Sequence, residues 1–295
     1  MKKSAIVIFC FFCIPMLQAQ APPGTDIYLA DLVPAKHGTV QLENIRNITR
    51  RNGYDNQPEF LPDGSGILYT AIVDRGQADV FLYDIATGKS ERKTRTPESE
   101  YSPTPMPVRK AFSVVRVEAD SSQRLWQFPM IGLQPRVILP HVKPVGYHGW
   151  ADQNIVAMFV LGSPPTLQVA DIRSGKVDTL LERVGRSIHT VPGEKAISFL
   201  QKSEDGKTAM IKKYTPATGH IKDLVPALPG REDYAWLPDG RIIMGSGSVL
   251  YLATPGKSGW QEIVDLAGRG LTNITRLAVS PRGDRIAIVA DENVE

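Results

Sequence analysis

A pattern that returns about every 43 residues constrains this chain more than any single motif, because a repeated strand-turn unit buries its apolar faces only against copies of itself. One landmark is a turn between short apolar runs: Leu61-Pro62-Asp63-Gly64, Leu237-Pro238-Asp239-Gly240 and Ser280-Pro281-Arg282-Gly283, with Val191-Pro192-Gly193-Glu194 as a weaker copy. Proline sets φ for a turn and glycine tolerates positive φ, so each reads as a β-hairpin loop. The second landmark is a strand and turn, as in Phe81-Leu82-Tyr83-Asp84-Ile85-Ala86-Thr87-Gly88. Aligned on Asp84, it places Phe128, Asp171, Thr215 and Thr254 in register at intervals of 44, 43, 44 and 39 residues.

The two ends of the pattern complement each other. Ile27 to Asp31 is a copy of the second landmark with no first hairpin before it, and Asn273 to Ala290 is a first hairpin with no second one after it. Radially arranged four-stranded repeats leave two long edges unless the ring closes, so the N-terminal strands are expected to pair with the C-terminal ones in a shared blade. The expected fold is all-β: a six-bladed β-propeller of four-stranded blades, closed two strands plus two. A linear solenoid calls for capping repeats instead, and a β-sandwich does not explain the period.

Residues 1–21 read as a signal peptide. Lys2 and Lys3 precede an apolar run from Ala5 to Leu17, and cleavage is expected after Ala19 or Ala21, leaving 22–295 as a single propeller domain. The apolar run is short of the roughly 20 residues of a membrane-spanning helix. Both cysteines, Cys10 and Cys13, fall inside it, so the mature chain is expected to hold no disulfide and no thiolate metal ligand. Without Lys2 and Lys3 the formal charge drops from +3 to +1, a balance that gives no support to a nucleic-acid partner.

The run Gln57-Pro58-Glu59-Phe60-Leu61-Pro62-Asp63-Gly64-Ser65-Gly66-Ile67-Leu68-Tyr69-Thr70, followed by Val80-Phe81-Leu82-Tyr83-Asp84, resembles the propellers built from WD40-like Asp-containing repeats, as in the periplasmic TolB protein and its relatives. The resemblance spans the mature chain and implies fold before function. TolB carries a small α/β domain ahead of its propeller; only a few residues separate the leader from Asp26 here, so that domain is expected to be absent. Enzymes that pair such propellers with a hydrolase domain need a G-x-S-x-G elbow, and the chain has none. It also has no H-E-x-x-H and no phosphate loop.

Connections from the outer strand of one blade to the inner strand of the next should converge on one face. They carry the candidate ligand-binding set Tyr54, Asp55, Glu100, Tyr101, Tyr147, His148, His189, Glu232, Asp233 and Tyr234, tyrosines among charges that suit a peptide segment or a sugar ring. Of the five histidines, His148 and His189 fall near the starts of successive inner strands and are the pair from which a metal site would be built, although spacing supplies no third ligand; His37 and His220 fall in outer turns. The expectation is a monomeric periplasmic or secreted scaffold for an envelope protein or peptide, without cofactor, catalytic residues or stable membrane insertion. The alternative is a small carbohydrate-binding or lyase-like propeller using the two histidines.

Overall fold

The computed structural model describes residues 22–35, 38–73, 76–132 and 134–292; the expected leader, His37 and residues 293–295 lie outside the described residues. Blade 1 contains β3 (Asp55–Phe60), β4 (Gly66–Val73), β5 (Gln77–Asp84) and β6 (Lys89–Arg92). Blade 2 contains β7 (Ser99–Pro105), β8 (Ala111–Val117), β9 (Gln123–Pro129) and β10 (Arg136–Ile138). Blade 3 has β11 (Val145–Trp150), β12 (Ile155–Val160), β13 (Thr166–Asp171) and β14 (Lys176–Glu182). Blade 4 has β15 (Val184–Thr190), β16 (Ile197–Lys202), β17 (Ala209–Thr215) and β18 (His220–Pro226). Blade 5 has β19 (Tyr234–Trp236), β20 (Ile242–Ser246), β21 (Val249–Ala253) and β22 (Gln261–Asp265), and is followed by a 3-10 turn, Ala267–Arg269.

Blade 6 joins the two ends of the chain: β23 (Leu277–Val279) and β24 (Arg285–Asp291) pair with β1 (Thr25–Pro34) and β2 (Val40–Asn47) in the order β2-β1-β24-β23. The antiparallel register of the seam runs from Thr25 opposite Asp291 to Asp31 opposite Arg285. The two-plus-two closure read from the half-repeats is therefore the closure the fold uses.

Alternation along the strands explains why they read as unbroken apolar runs. On β24, Ile286, Ile288 and Ala290 pack toward blade 5, while Ala287 and Val289 pack toward blade 1. Tyr28, Ala30 and Leu32 of β1 follow the first set, Ile27 and Leu29 the second. Six buried clusters of this kind lie between the six pairs of neighbouring blades. With about 1.5–3 kcal/mol for each large aliphatic side chain buried, sheet-on-sheet packing holds the ring, whose described residues contain no cysteine.

A polar clip repeats as well. The hydroxyl of Thr94 accepts the backbone N–H of Val80 at 2.8 Å and lies 3.2 Å from the carboxylate of Asp79; Thr49 does the same for Ile27 at 3.1 Å and Asp26 at 2.9 Å. It ties the chain leaving an outer strand back to the third strand of the same blade. The first strands β3, β7, β11, β15, β19 and β23 pack against one another around the ring and line its central channel.

Candidate functional site

Each inner strand begins where a connection arrives from the preceding outer strand, so the strand starts surround one mouth of the channel. Tyr54, just before β3, is largely buried there, within electrostatic reach of Arg276, Tyr147, Tyr101 and Arg186; burial first, against the two arginines, pushes its phenol up to about 12. The Arg276 guanidinium lies 5.0 Å over the ring of Tyr147, a cation–π contact. Arg186 forms a two-pronged pair with Asp233, and Arg276 approaches the same carboxylate at 3.6 Å. Burial alone would raise Asp233, yet Arg276 and Arg186 hold it below the usual carboxylate range. Two guanidiniums thus share one carboxylate, leaving net positive charge beside three phenols, and the group draws on all six blades.

The channel here has about 100 Å3 of room, lined by Tyr147, Arg186, Asp233 and Arg276 of the mouth together with Gln57, Glu59, Ser102, His148 and His189. That is space for a few waters, well under the roughly 300–1,000 Å3 of a small-molecule pocket. A wider opening of about 410 Å3 lies at the hairpin end, beside Pro192, Trp236 and Pro281, and Glu59 and His189 line both spaces. Glu59 makes no hydrogen bond or ion pair with the described residues, and burial pushes its carboxyl up to about 7.

The expected site residues divide into three groups. Tyr54, Tyr101, Tyr147 and Asp233 come together at the mouth. Asp55 and Glu100 are fully buried: Asp55 pairs with Arg51 at 2.6 Å, and Glu100 is held by Thr96 and by Arg116 at 3.5 Å. Glu232 stands aside, paired with Lys202 and accepting the backbone N–H of Arg186 at 3.1 Å. Most of this set therefore lies within or against the inner strands, not in exposed loops.

His148 and His189 also lie deeper than their spacing suggested, in the middle of β11 and the last turn-ward part of β15. The Ser113 hydroxyl on β8 sits 2.6 Å from His148 Nε2, accepts Trp150 Nε1–H at 2.9 Å and lies 3.2 Å from the carbonyl of Thr104. A hydroxyl that donates once and accepts twice satisfies all three if His148 is protonated on Nε2, leaving Nδ1 as a buried acceptor without a partner. A second proton would then have no acceptor, and burial lowers His148 to about 3. Two blades on, Ser198 of β16 accepts Tyr234 Oη–H at 2.9 Å and Trp236 Nε1–H at 2.7 Å, so His148 and Tyr234 do the same job of joining neighbouring blades. His189 packs edge-on against Tyr234 with centroids 4.8 Å apart, is lowered to about 4 chiefly by burial, and leaves Nε2 unpartnered. Among the described residues, no three His, Cys, Asp or Glu side chains are grouped to hold a metal ion. Arg276, Ser113 and Ser198 were not singled out in the sequence, since an arginine or serine in a strand carries no local signal of what it meets across a blade boundary.

No protein-family model matches the chain, and no curated protein sequence does. Solved structures do. A protein described as TolB from Agrobacterium tumefaciens superposes with a TM-score of 0.71 at 14% identity, over 93% of this chain and 100% of that one. TolB from Acinetobacter baumannii gives 0.57 at 16% identity over 92% of this chain, which spans 65% of the length of that protein. An oligogalacturonate lyase from Vibrio parahaemolyticus gives 0.52 at 14% identity, over 92% and 98%. At these identities the likeness is one of fold, and the six closed blades agree with it: the chain has the six-bladed β-propeller fold of these TolB structures.

Proposed function

We propose that the chain is an exported scaffold of the cell envelope that binds a protein or peptide segment at the tyrosine- and arginine-lined mouth of its channel. The observation that carries this reading is the convergence of Tyr54, Tyr101, Tyr147, Arg186, Arg276 and Asp233, from six blades, on one opening with only about 100 Å3 of room. Flat phenols offer contact area at low entropic cost, and the shared Asp233 leaves guanidinium charge for a peptide carbonyl or carboxylate. The leader-like segment supports export, and no helix among the described residues is long and apolar enough to cross a membrane. Photo-crosslinking side chains placed at Tyr101 and Tyr147 should give discrete adducts in the native envelope, with none from Pro192 at the opposite end. Equal adducts from Pro192, or none from the mouth, would sink the reading.

A second reading, metal-assisted chemistry on an acidic sugar, has one observation in its favour: Nδ1 of His148 and Nε2 of His189 are buried beside the channel without partners. Thermal unfolding with a chelator, divalent metals and acidic oligosaccharides separates the two, since a ligand of the native state raises its stability. A shift lost in His148→Ala or His189→Ala would replace the scaffold reading with this one.

A further inference from the structure

A groove with about 770 Å3 of room opens beside the seam of the ring. Its walls come from the end of β2, from the β2–β3 connection and from the 3-10 turn between blades 5 and 6. Those connections are of the outer-to-inner kind that frames the channel mouth, so the groove shares that face, displaced toward the closure. Four arginines line it: Arg46, Arg50, Arg51 and Arg269.

Their charge is only partly compensated. Arg51 is committed to Asp55 at 2.6 Å, but Arg46, Arg50 and Arg269 make no ion pair or side-chain hydrogen bond with the described residues. Two acids also stand on the walls, and their hydrogen bonds come from neutral donors that do not cancel carboxylate charge: Asp26 is buried and accepts the Thr49 hydroxyl at 2.9 Å, and Glu292 accepts the backbone N–H of Gly53 at 3.2 Å, so three unpaired guanidiniums stand against two carboxylates. Unpaired arginines on a convex surface are ordinarily solvated, whereas a concave wall focuses their field. Arg50 is also held with φ at +44° while Asn47 Oδ1 accepts the N–H groups of Thr49 and Arg50, both at 3.0 Å, so the loop presents this guanidinium from a fixed backbone.

We propose that this groove binds a multiply charged oxyanion of the phosphate type, taken either free or as the headgroup of a phospholipid. A carboxylate offers one charge and two acceptor oxygens and satisfies a single guanidinium fork. A phosphate or pyrophosphate group offers more charge and three or more peripheral oxygens, enough for the unpaired arginines together.

Titration calorimetry of the full chain with inorganic pyrophosphate at low ionic strength is expected to show one binding event that weakens as salt is added. Arg50→Gln and Arg269→Gln should each weaken it about tenfold, the loss of one charge-assisted contact. Combined with Arg46→Gln they should abolish it, with the thermal midpoint unchanged because these side chains hold nothing in the fold. Arg173→Gln, in the outer turn between β13 and β14, should leave binding intact. Flotation with vesicles of phosphatidylcholine, with and without phosphatidic acid, separates the sources: capture by the acidic vesicles that pyrophosphate competes away assigns the headgroup, and pyrophosphate binding without capture assigns the free anion. No binding of either probe, equal binding by the triple variant, or equal affinity for citrate would overturn the proposal. None of the three variant arginines lines the channel, so this outcome and that of the mouth crosslinking are read independently.

Discussion

Ser198 shows how much rests on one small side chain. Its hydroxyl accepts from both the buried Tyr234 and the part-buried Trp236 of the next blade, and neither donor has another hydrogen-bond partner among the described residues. Removing it strands two donors, each costing about 1–3 kcal/mol when left unpaired. Ser198→Ala should therefore lower stability by roughly 2–4 kcal/mol in urea unfolding, more than the usual surface Ser→Ala change; an unaltered midpoint would mean that water replaces the hydroxyl. Glu59 gives a pH-dependent prediction. Its folded-state carboxyl titrates near 7 because of burial, above the ordinary glutamate value of 4.5, so the native chain retains a proton that the unfolded chain has lost between those values. Its contribution is fully present below the unfolded value and is lost as pH rises through 7, where the native state must hold an unpaired carboxylate. Glu59→Gln should then melt at least about 2 °C above the parent at about pH 8 and match it at about pH 4, a shift of the size ~1 kcal/mol makes in a chain this long.

At the scale of elements, legibility followed burial. Strands enclosed on both faces, such as Ile286 to Ala290 and Ile67 to Thr70, stand out as apolar runs between Pro-Asp-Gly or Pro-Arg-Gly turns. Inner strands do not. The sequence Asp55-Asn56-Gln57-Pro58-Glu59 looks like a loop, yet it is β3, because one edge of it faces the channel instead of another strand. Its pairing also breaks between Asn56 and Glu59, as that of β7 does between Tyr101 and Thr104, with Gln57 and Ser102 at positive φ and Gln57 Oε1 accepting the N–H of Ser102 at 2.7 Å. This irregularity turns side chains toward the mouth, and no period-two pattern could announce it. Spacing between blades is set by close approaches such as Gly149 on β11, where an added Cβ would sit 2.7 Å from the carbonyl oxygen of Ile188. Gly149→Ala should cost about 1–3 kcal/mol by forcing β15 outward, measurable as a lower unfolding midpoint.

The whole molecule stands on its seam. Asp31 and Arg285 are opposite each other on β1 and β24, near the two ends of the described chain, and both are part-exposed. Opposed residues of an antiparallel pair are near enough for a disulfide, and this one would close a loop around most of the ring. Asp31→Cys with Arg285→Cys should form that bond on oxidation and raise stability by about 2–4 kcal/mol over the reduced form; failure to cross-link would contradict the closure. The repeat count, the all-β class and this two-plus-two closure were determined by the sequence alone, since period, turn chemistry and complementary half-repeats are local properties that add up only one way. Which polar residues meet was decided by tertiary structure. Rotation from blade to blade brings Tyr54, Tyr147, Arg186 and Arg276 to one mouth and puts His148 under Ser113, because contacts across a blade boundary join residues about 35 to 220 positions apart that no local pattern relates.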